Sequence, residues 1–325
     1  MKRSILFFSL SVIAAAAAAQ SSVSISGVLK VAATHANSGT TFVEEGIEGG
    51  WSVNDHSSAL IFSGKEDLGG GMHAGFELAS FMGMDTGTTR SAFWSRRSVV
   101  KLGGSFGEVY AGRSLTPQEL MALLIDPWYW DGSGAHVGWH VQQAHYRSSA
   151  FIRTNNTVGY VSPKVGGFTL SLAASAGEGG GKKDIGGSLT YDQGPLSLGI
   201  AHDRGHGLDN AGPTDHLTTV VASYDFGVAK PRASVTKSQV NGEGYTSFAL
   251  AVTAPVGAAG LVKAQYGHLD DGDTSVAGKQ KFNRFGVGYQ HSLSKRTNVF
   301  AQFSQAKAQT FTAKNVAEFG VEHSF

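Results

Sequence analysis

The chain has 325 residues, of which 41% are hydrophobic and 44 are glycine, and it contains no cysteine. The missing cysteines exclude a disulfide framework. The 26 basic and 25 acidic residues nearly cancel, which excludes the strongly basic surface of a nucleic-acid-binding protein. No proline- or serine-rich linker and no block of like charges divides the chain, so we predict one folded domain.

The amino terminus has the pattern of a secretory leader. Two basic residues, Lys2 and Arg3, precede an apolar run that ends in Ala17-Ala18-Ala19, a small-residue cleavage pattern. The run is shorter than the about 20 residues of a transmembrane helix. We therefore expect residues 1–19 to be a signal peptide and residues 20–325 to be the mature domain, with 24 basic against 25 acidic residues and a net charge of −1.

The mature chain repeats stretches of about ten residues in which apolar and polar side chains alternate. Seven connections between them are short and rich in turn-forming residues: Gly64–Gly71, Gly103–Gly107, Ser162–Gly167, Asp192–Pro195, Asp225–Gly227, Ala254–Gly260 and His291–Lys295. Eight are longer and polar: Ala36–Asp55, Gly83–Ser95, Ser114–Ile152, Ala176–Asp184, Arg204–Asp215, Gln239–Tyr245, Asp270–Phe282 and Ala306–Asn315. Fifteen connections predict sixteen strands, an even number that places both termini at the same end.

The alternation gives each strand two faces of different character. The apolar set includes Ala74, Phe76, Leu78, Ser98, Val100, Leu102, Val158 and Tyr160. The opposite set includes His73, Gly75, Glu77, Arg97, Lys101, Arg153, Asn155 and Thr157. A dry core would not accept these charges, so we expect the second face to line water and the first to contact lipid.

The same pattern predicts a closed sheet. An open sheet of this length would leave unpaired edges, which closure removes. We therefore predict an all-β fold, a transmembrane antiparallel β-barrel of about 16 strands. A barrel of that size leaves an aqueous channel, and the function that follows is passive passage of solutes. The last stretch, Asn315–Phe325, alternates to an aromatic carboxyl terminus, which favours the outer membrane.

The third long connection, Ser114–Ile152, is the longest and holds three of the five tryptophans, Trp128, Trp130 and Trp139. Loops this long are usually functional or disordered, and the aromatic content argues against disorder. Within it, Pro117–Ile125 predicts a short helix that begins with proline in its first turn and ends before Pro127.

At this point the chain resembles a known family. The mature start QSSVSISGVLK, the hairpins SGKEDLGGGMHAGFEL and RRSVVKLGGSFGEVYAGR, the run RTNNTVGYVSP and the ending GVEHSF resemble the general porins of Gram-negative outer membranes. The resemblance spans nearly all of the mature chain. It implies a homotrimer of sixteen-stranded barrels without a cofactor, with the third loop folded into each lumen. It also implies periplasmic termini, and delivery by an outer-membrane assembly machinery that recognises the ending at Phe325.

The resemblance further implies a constriction where basic wall residues face acidic loop residues and sort solutes by charge. The basic candidates are Arg97, Lys101 and Arg153 on the wall, with Arg113 and Arg147 flanking the loop. The acidic candidates are Glu119, Asp126 and Asp131. The expected partners are therefore outer-membrane lipid and small hydrophilic solutes.

The sequence departs from the family at two places. Ala59 and Ser63 stand where many relatives carry arginine and lysine, so two expected basic wall groups are missing, which argues against strong anion selectivity. The cluster Trp128-Tyr129-Trp130 is not typical of a general porin. Its rings either stack on sugars or other planar ligands, which would make the channel substrate-preferring, or anchor the loop to the wall.

Other functions receive less support. Gly103–Gly107 matches a serine nucleophile motif at Ser105, but a strand rather than a helix follows it. A structural or adhesive barrel remains an alternative because of the loop aromatics. His136 and His140 have a spacing that suits a metal only if the loop is helical there, and Asp270–Asp273 lacks the last acidic residue of a calcium loop.

Overall fold

The computed structural model describes residues 22–38, 49–54, 57–89, 92–135, 152–177, 183–206, 214–240, 242–274, 278–309 and 312–325. The predicted signal peptide lies outside these ranges. So do His136, Trp139, His140 and Arg147 of the third connection.

Eighteen strand segments and one helix make up this part of the chain. The strands before the helix are β1 (Ser22–Ala36), β2 (Gly50–Asn54), β3 (Ala59–Gly69), β4 (Met72–Gly83), β5 (Thr88–Thr89), β6 (Arg97–Gly104) and β7 (Gly107–Leu115). The helix α1 (Pro117–Ile125) is followed by β8 (Arg153–Val161), β9 (Phe168–Ser175), β10 (Asp184–Gln193), β11 (Leu196–His206) and β12 (Thr214–Tyr224). The last strands are β13 (Lys230–Val240), β14 (Glu243–Val256), β15 (Gly260–Thr274), β16 (Gly278–Ser292), β17 (Thr297–Ala308) and β18 (Lys314–Ser324).

The eighteen segments form sixteen wall strands. β2 and β3 both pair with β1 and make one wall strand that is interrupted at residues 55–58, and β5 adds only a two-residue pairing to β4. Neighbouring strands run antiparallel around one sheet. The predicted strand number is confirmed, and the short connections alternate with the long ones in the predicted order.

The sheet closes by pairing its first strand with its last. β1 and β18 pair from Val28 opposite Ser324 to Ala36 opposite Val316. Beyond this, Gly27 and Phe325 exchange two backbone hydrogen bonds, of 3.2 and 3.1 Å. A β-carbon at Gly27 would come within 2.7 Å of the Phe325 ring, so glycine gives the terminal aromatic room at the seam. Within the described residues, closure pairs both edges of the sheet with each other.

Side-chain exposure separates the two faces of the wall as predicted. Val100, Leu102 and Val158 are exposed apolar residues on the outer face. On the inner face Glu77 contacts both Arg97 and Lys101 through its carboxylate. The wall therefore presents an apolar surface outside and a charged surface inside.

One strand departs from the predicted alternation. Between β7 and β8, Gly112 pairs with Thr157 but Ser114 pairs with Thr154, so β8 contains one extra residue. This β-bulge brings Thr154 and Thr157 to the same side, where both are buried and their hydroxyl oxygens lie 2.7 Å apart. The expected alternation of inward residues is therefore wrong at Asn155, because a bulge shifts side-chain parity between Thr154 and Thr157.

The helix of the third connection has the predicted bounds. Thr116 is its N-cap, and its hydroxyl accepts a hydrogen bond of 3.2 Å from the backbone N–H of Glu119. Pro117 occupies the first turn, and the chain becomes extended at Asp126, just before Pro127. No helix within the described ranges has the length and apolar character needed to cross a membrane.

Candidate functional site

The helix α1 docks on the inner faces of β11 and β12. Gln118 donates its side-chain amide to the Thr219 hydroxyl at 2.6 Å and its backbone N–H to the Asp203 carboxylate at 3.3 Å. The apolar side of the helix enters a buried cluster of Met121, Ile125, Ala201 and Val221. The first part of the third connection therefore lies inside the barrel.

The segment after the helix reaches the far side of the wall. Asp131 forms an ion pair of 3.0 Å with Lys30 on β1 and accepts a hydrogen bond of 2.7 Å from the backbone N–H of Ser57. Ser133 donates its backbone N–H to Glu318 on β18 at 3.0 Å. β12 and β1 are seven wall strands apart in the order of the sheet. The described part of the loop thus has attachments on nearly opposite sides of the lumen.

Three arginines form a cluster at the long-connection ends of β6, β7 and β8. We call Arg96, Arg113 and Arg153 the arginine cluster. The guanidinium groups of Arg96 and Arg153 lie over the ring of Phe81, 5.2 and 5.1 Å from its centre. Phe81 lies on the same face of β4 as Glu77, the inner face. Arg96 and Arg153 therefore belong to the inner wall.

Backbone carbonyl groups hold the arginine cluster in place. Arg96 Nη1 donates to the carbonyl of Ser57 at 3.2 Å, and Arg153 Nε donates to the carbonyl of Arg96 at 3.0 Å. Arg113 Nε donates to the carbonyl of Ser95 at 2.8 Å. Within the described part of the chain, none of the three forms an ion pair with a carboxylate. A carbonyl oxygen fixes a guanidinium without cancelling its charge, so the cluster retains its positive charge.

The charges of the other two predicted wall residues, Arg97 and Lys101, are offset by nearby carboxylates. Glu77 Oε2 lies 3.3 Å from Arg97 Nη1 and 3.4 Å from Lys101 Nζ. Glu108 lies 3.9 Å from Lys101 and 3.8 Å from His73. Two carboxylates therefore offset the two cations, unlike at the arginine cluster.

The three loop carboxylates lie in different environments. Glu119 is 0% exposed, and neither carboxyl oxygen has a hydrogen-bond partner among the described residues. Burial raises the pKa of Glu119 well above its ordinary value, against the opposing effect of Arg153. Asp126 is 1% exposed and accepts hydrogen bonds from the backbone N–H groups of Trp128 at 2.8 Å and Trp130 at 3.2 Å. Asp131 pairs with the wall cation Lys30 at 3.0 Å.

The three aromatic residues of the loop also differ in their exposure and contacts. Trp128 is 5% exposed, and the ammonium of Lys263 lies 5.9 Å from its ring centre. Trp130 packs against the buried cluster under α1. Tyr129 is 66% exposed and has φ of +52°, and Trp130 follows with φ of +67°. The two tryptophans anchor the loop, whereas Tyr129 stands free of the wall.

Sequence reasoning missed two contributors to this site, Arg96 and Lys30. Arg96 precedes the predicted Arg97, and only the structure shows that Arg97 forms an ion pair with Glu77 whereas Arg96 forms none with a described carboxylate. Lys30 lies on the inner face of β1, where it holds Asp131. The sequence could have indicated its inward position, because Lys30 is a single charged residue between the apolar Leu29 and Val31 in the first strand.

The alternative sites receive no support from the described residues. Ser105 lies in the tight turn between β6 and β7, with a strand on each side. In the ranges given above, no group of three His, Asp or Glu side chains is placed to hold a metal ion. The predicted histidine spacing at residues 136 and 140 lies outside those ranges.

Comparisons with known proteins agree with this architecture. A family model described as Gram-negative porin matches residues 7–310. Outer membrane porin protein 32 of Delftia acidovorans is 33% identical, over 99% of this chain and 94% of that protein. The solved anion-selective porin from Comamonas acidovorans is 27% identical, with a TM-score of 0.82 over 94% of this chain and 100% of that one. OmpT of Vibrio cholerae, solved in a trimer form, shares the fold at 13% identity, with a TM-score of 0.71 over 94% of this chain and 99% of that one.

These matches cover the same span as the barrel and the docked loop. The sixteen-stranded closed wall and its charged inner face are the features that an aqueous channel needs. The chain therefore belongs to the Gram-negative porin family and is an outer-membrane β-barrel that forms a channel for passive diffusion of ions and small hydrophilic solutes.

Proposed function

We propose that this porin prefers anions and that the arginine cluster, with the third loop, forms its constriction. One observation carries the proposal: the arginine cluster is held by carbonyl groups and has no carboxylate partner among the described residues. An uncompensated positive charge on a channel wall attracts anions and repels cations. The structurally similar porin from Comamonas acidovorans is anion-selective, which agrees with this preference.

In this proposal the predicted constriction residues have unequal roles. Arg113 and Arg153 attract anions together with Arg96, whereas Arg97 and Lys101 contribute little net charge because Glu77 and Glu108 offset them. Asp131 fixes the loop through Lys30. Glu119 and Asp126 position the loop from buried sites. Arg147 lies outside the described residues, and its assignment to the basic side stays a prediction from the sequence.

The test is the reversal potential of single channels in a salt gradient. One charge at about 6 Å from a permeating ion in water changes its energy by about 0.7 kcal/mol, which corresponds to about a threefold change in permeability ratio. We expect Arg153→Ala and Arg96→Ala to lower the anion-to-cation ratio by about that factor each. The matched control is the double variant Arg97→Ala with Glu77→Ala, and we expect a smaller change because it removes a paired cation and anion and leaves the net charge of the wall unchanged. Equal effects of the two single substitutions and the double variant would contradict the proposal.

A second candidate function is a preference for planar anions. Tyr129 is exposed in a turn of left-handed backbone that Asp126 holds, and strained backbone often marks a functional position. Arg232 on β13 lies within electrostatic range of Tyr129, donates to the Thr253 hydroxyl at 3.2 Å and forms no ion pair with a described carboxylate. An aromatic face near a guanidinium suits an aromatic carboxylate.

Benzoate and acetate distinguish this preference from general anion selectivity. We expect benzoate to block the chloride current of the wild type more strongly than acetate does. Tyr129→Ala should weaken the benzoate block about fivefold, whereas Tyr129→Phe should retain it because the ring remains. Tyr289→Ala removes a ring from the outer face and serves as the control. A benzoate block that survives Tyr129→Ala would rule out this second function.

We also propose the assembly that the family resemblance implies. Residues 1–19 are cleaved as a signal peptide, the mature chains form a homotrimer, both termini face the periplasm, and the channel has no catalytic activity. The trimer form of OmpT supports the oligomeric state, and the pairing of Gly27 with Phe325 supports termini on one side. Light scattering of the purified protein in detergent tests the trimer, and a monomeric mass would contradict it.

A further inference from the structure

The helix α1 presents two exposed leucines to the lumen. Leu120 and Leu124 are 43% and 55% exposed, and residues four apart lie on the same side of a helix. Met121 and Ile125 lie on the side toward the wall, in the buried cluster against β11 and β12. Because this cluster fixes the helix on the inner wall, its exposed side faces the water of the channel rather than lipid. We call Leu120 and Leu124 the leucine stripe.

Apolar side chains at these two positions are unusual for a helix in contact with water. A helix that packs on one surface normally buries its apolar side and turns polar residues toward the solvent. In α1 the polar side chains of Gln118 and Glu119 are buried instead, and Gln118 serves the docking on Thr219. The surface that α1 offers to a passing solute is therefore hydrocarbon.

The arginine cluster lies next to the start of this helix. Arg153 pairs with Leu115 across β7 and β8, and the helix begins at Pro117, two residues after Leu115. Arg153 also lies within electrostatic range of Glu119 in the first turn. The leucine stripe and the arginine cluster therefore border the same part of the lumen.

The dimensions of the leucine stripe suit a short alkyl chain. Leu120 lies about 5 Å along the helix axis from Pro117. Leu124 lies about 6 Å farther along the axis, about the length of an extended hexanoate chain. A solute whose anionic group contacts the arginine cluster can therefore lay its alkyl chain along the two leucines. Each methylene group that leaves water strengthens binding by at most about fourfold.

We propose that the third loop selects, among small anions, those that carry an unbranched alkyl chain. The anionic group contacts the arginine cluster, where positive charge attracts it, and the chain contacts the leucine stripe, where hydrocarbon leaves water. The inference rests on the anion preference proposed above. It adds the leucine stripe as a determinant of specificity that an inorganic anion such as chloride does not use.

The experiment measures block of the chloride current through wild-type channels by acetate and by hexanoate at neutral pH, where both are anions. The two probes share the carboxylate and differ in the length of the alkyl chain. The leucine stripe covers a chain from one side only, so we expect about a twofold gain for each of the four additional methylene groups. Hexanoate should therefore block at about a fifteenfold lower concentration than acetate.

Two double variants test the leucine stripe directly. Leu120→Gln with Leu124→Gln retains helix propensity but removes the hydrocarbon surface, and we expect hexanoate and acetate to block it within about twofold of each other. Leu120→Met with Leu124→Met is the matched control. Because methionine keeps an apolar side chain of similar volume, this control should retain the wild-type difference between the probes.

Three results would overturn the inference. The first is equal potency of acetate and hexanoate in the wild type, which would indicate another occupant of the leucine stripe, such as residues 136–151 of the same loop. The second is a wild-type difference between the probes that persists in the glutamine variant. Either result, in a channel whose anion preference depends on Arg153, would leave the proposed channel function standing. The third is a wild type without anion preference, which would overturn the proposed function as well.

Discussion

At the scale of single residues, the partner of a charged side chain matters more than its presence. Arg97 and Arg153 are equally basic in the sequence, yet Arg97 pairs with Glu77 and Arg153 binds the carbonyl group of Arg96. Alternation predicted which face Arg97 occupies. It did not predict the partners, because these come from neighbouring strands and from the loop. The candidate residues were therefore predictable, and their relative importance was not.

Asp126 gives a prediction about the turn that follows α1. Its carboxylate accepts two backbone N–H groups, and the second belongs to a residue in left-handed backbone. We expect Asp126→Ala to destabilise the docked loop by about 2–4 kcal/mol, because both donors lose a charged acceptor. Limited proteolysis of the folded protein measures this. Asp126→Asn keeps one acceptor oxygen and should show a smaller effect, and equal resistance of both variants and the wild type would contradict the assignment.

Glu119 gives a prediction about pH. Burial raises its pKa in the folded protein above the ordinary value of 4.5, so the folded chain holds the proton to higher pH than the unfolded chain. The stability contributed by this group is fully present below the unfolded pKa and is lost as pH rises toward the raised pKa.

A neutral substitution at Glu119 should remove this loss of stability at high pH. We expect Glu119→Gln to raise the midpoint of thermal unfolding at pH 8 and to change it little at pH 4. Glu66→Gln, on an exposed residue of β3, is the control and should show neither effect. A lower midpoint for Glu119→Gln at pH 8 would mean that the ionised carboxylate stabilises the loop.

At the scale of elements, the helix was predictable because the residues at its two ends determine where it begins and ends. Thr116 and Pro117 begin it and Pro127 prevents its continuation. The β-bulge at Asn155 and Asn156 has no such signal, since an extra residue shows only when the partner strand is known. The attachment of Asp131 to Lys30 joins residues 101 positions apart, and a single sequence does not indicate such pairs.

The N-cap of α1 provides the test at this scale. Thr116→Ala removes the hydroxyl that accepts the Glu119 N–H, and loss of an N-cap costs about 1 kcal/mol. We expect about a fivefold faster protease cleavage within the third loop, while the heat-stable barrel remains intact. Thr116→Ser retains the acceptor and should behave like the wild type. Faster cleavage in both variants would indicate that the methyl group, rather than the cap, stabilises the helix.

At the scale of the whole molecule, strand number and order were predictable from turn residues alone. Clusters of glycine, proline, asparagine, aspartate and serine separate the alternating stretches, so counting the connections counts the strands. The destination of the third loop was expected only from the family resemblance, because its docking depends on the inner faces of strands far away in sequence.

Phe325 carries the prediction at this scale. Its backbone pairs with Gly27 at the seam, and its ring packs over that glycine. We expect deletion of Phe325 to lower the amount of folded barrel in the membrane, as measured by the heat-modifiable band in electrophoresis. Phe325→Tyr keeps an aromatic ring and serves as the control. Unchanged folded levels after the deletion would show that the seam tolerates loss of its last pair.

The seam also determines when the barrel can become complete. Its pairs join residues as far apart as Val28 and Ser324, so the final hydrogen bonds form only after the entire chain is available. Every shorter product of synthesis or export has two bare strand edges, which are prone to pair with other chains. Long-range pairing of this kind is intrinsically slow. The unfolded chain must therefore be kept from pairing with other copies until β18 is available to pair with β1. A chain that is truncated before β18 cannot close the barrel.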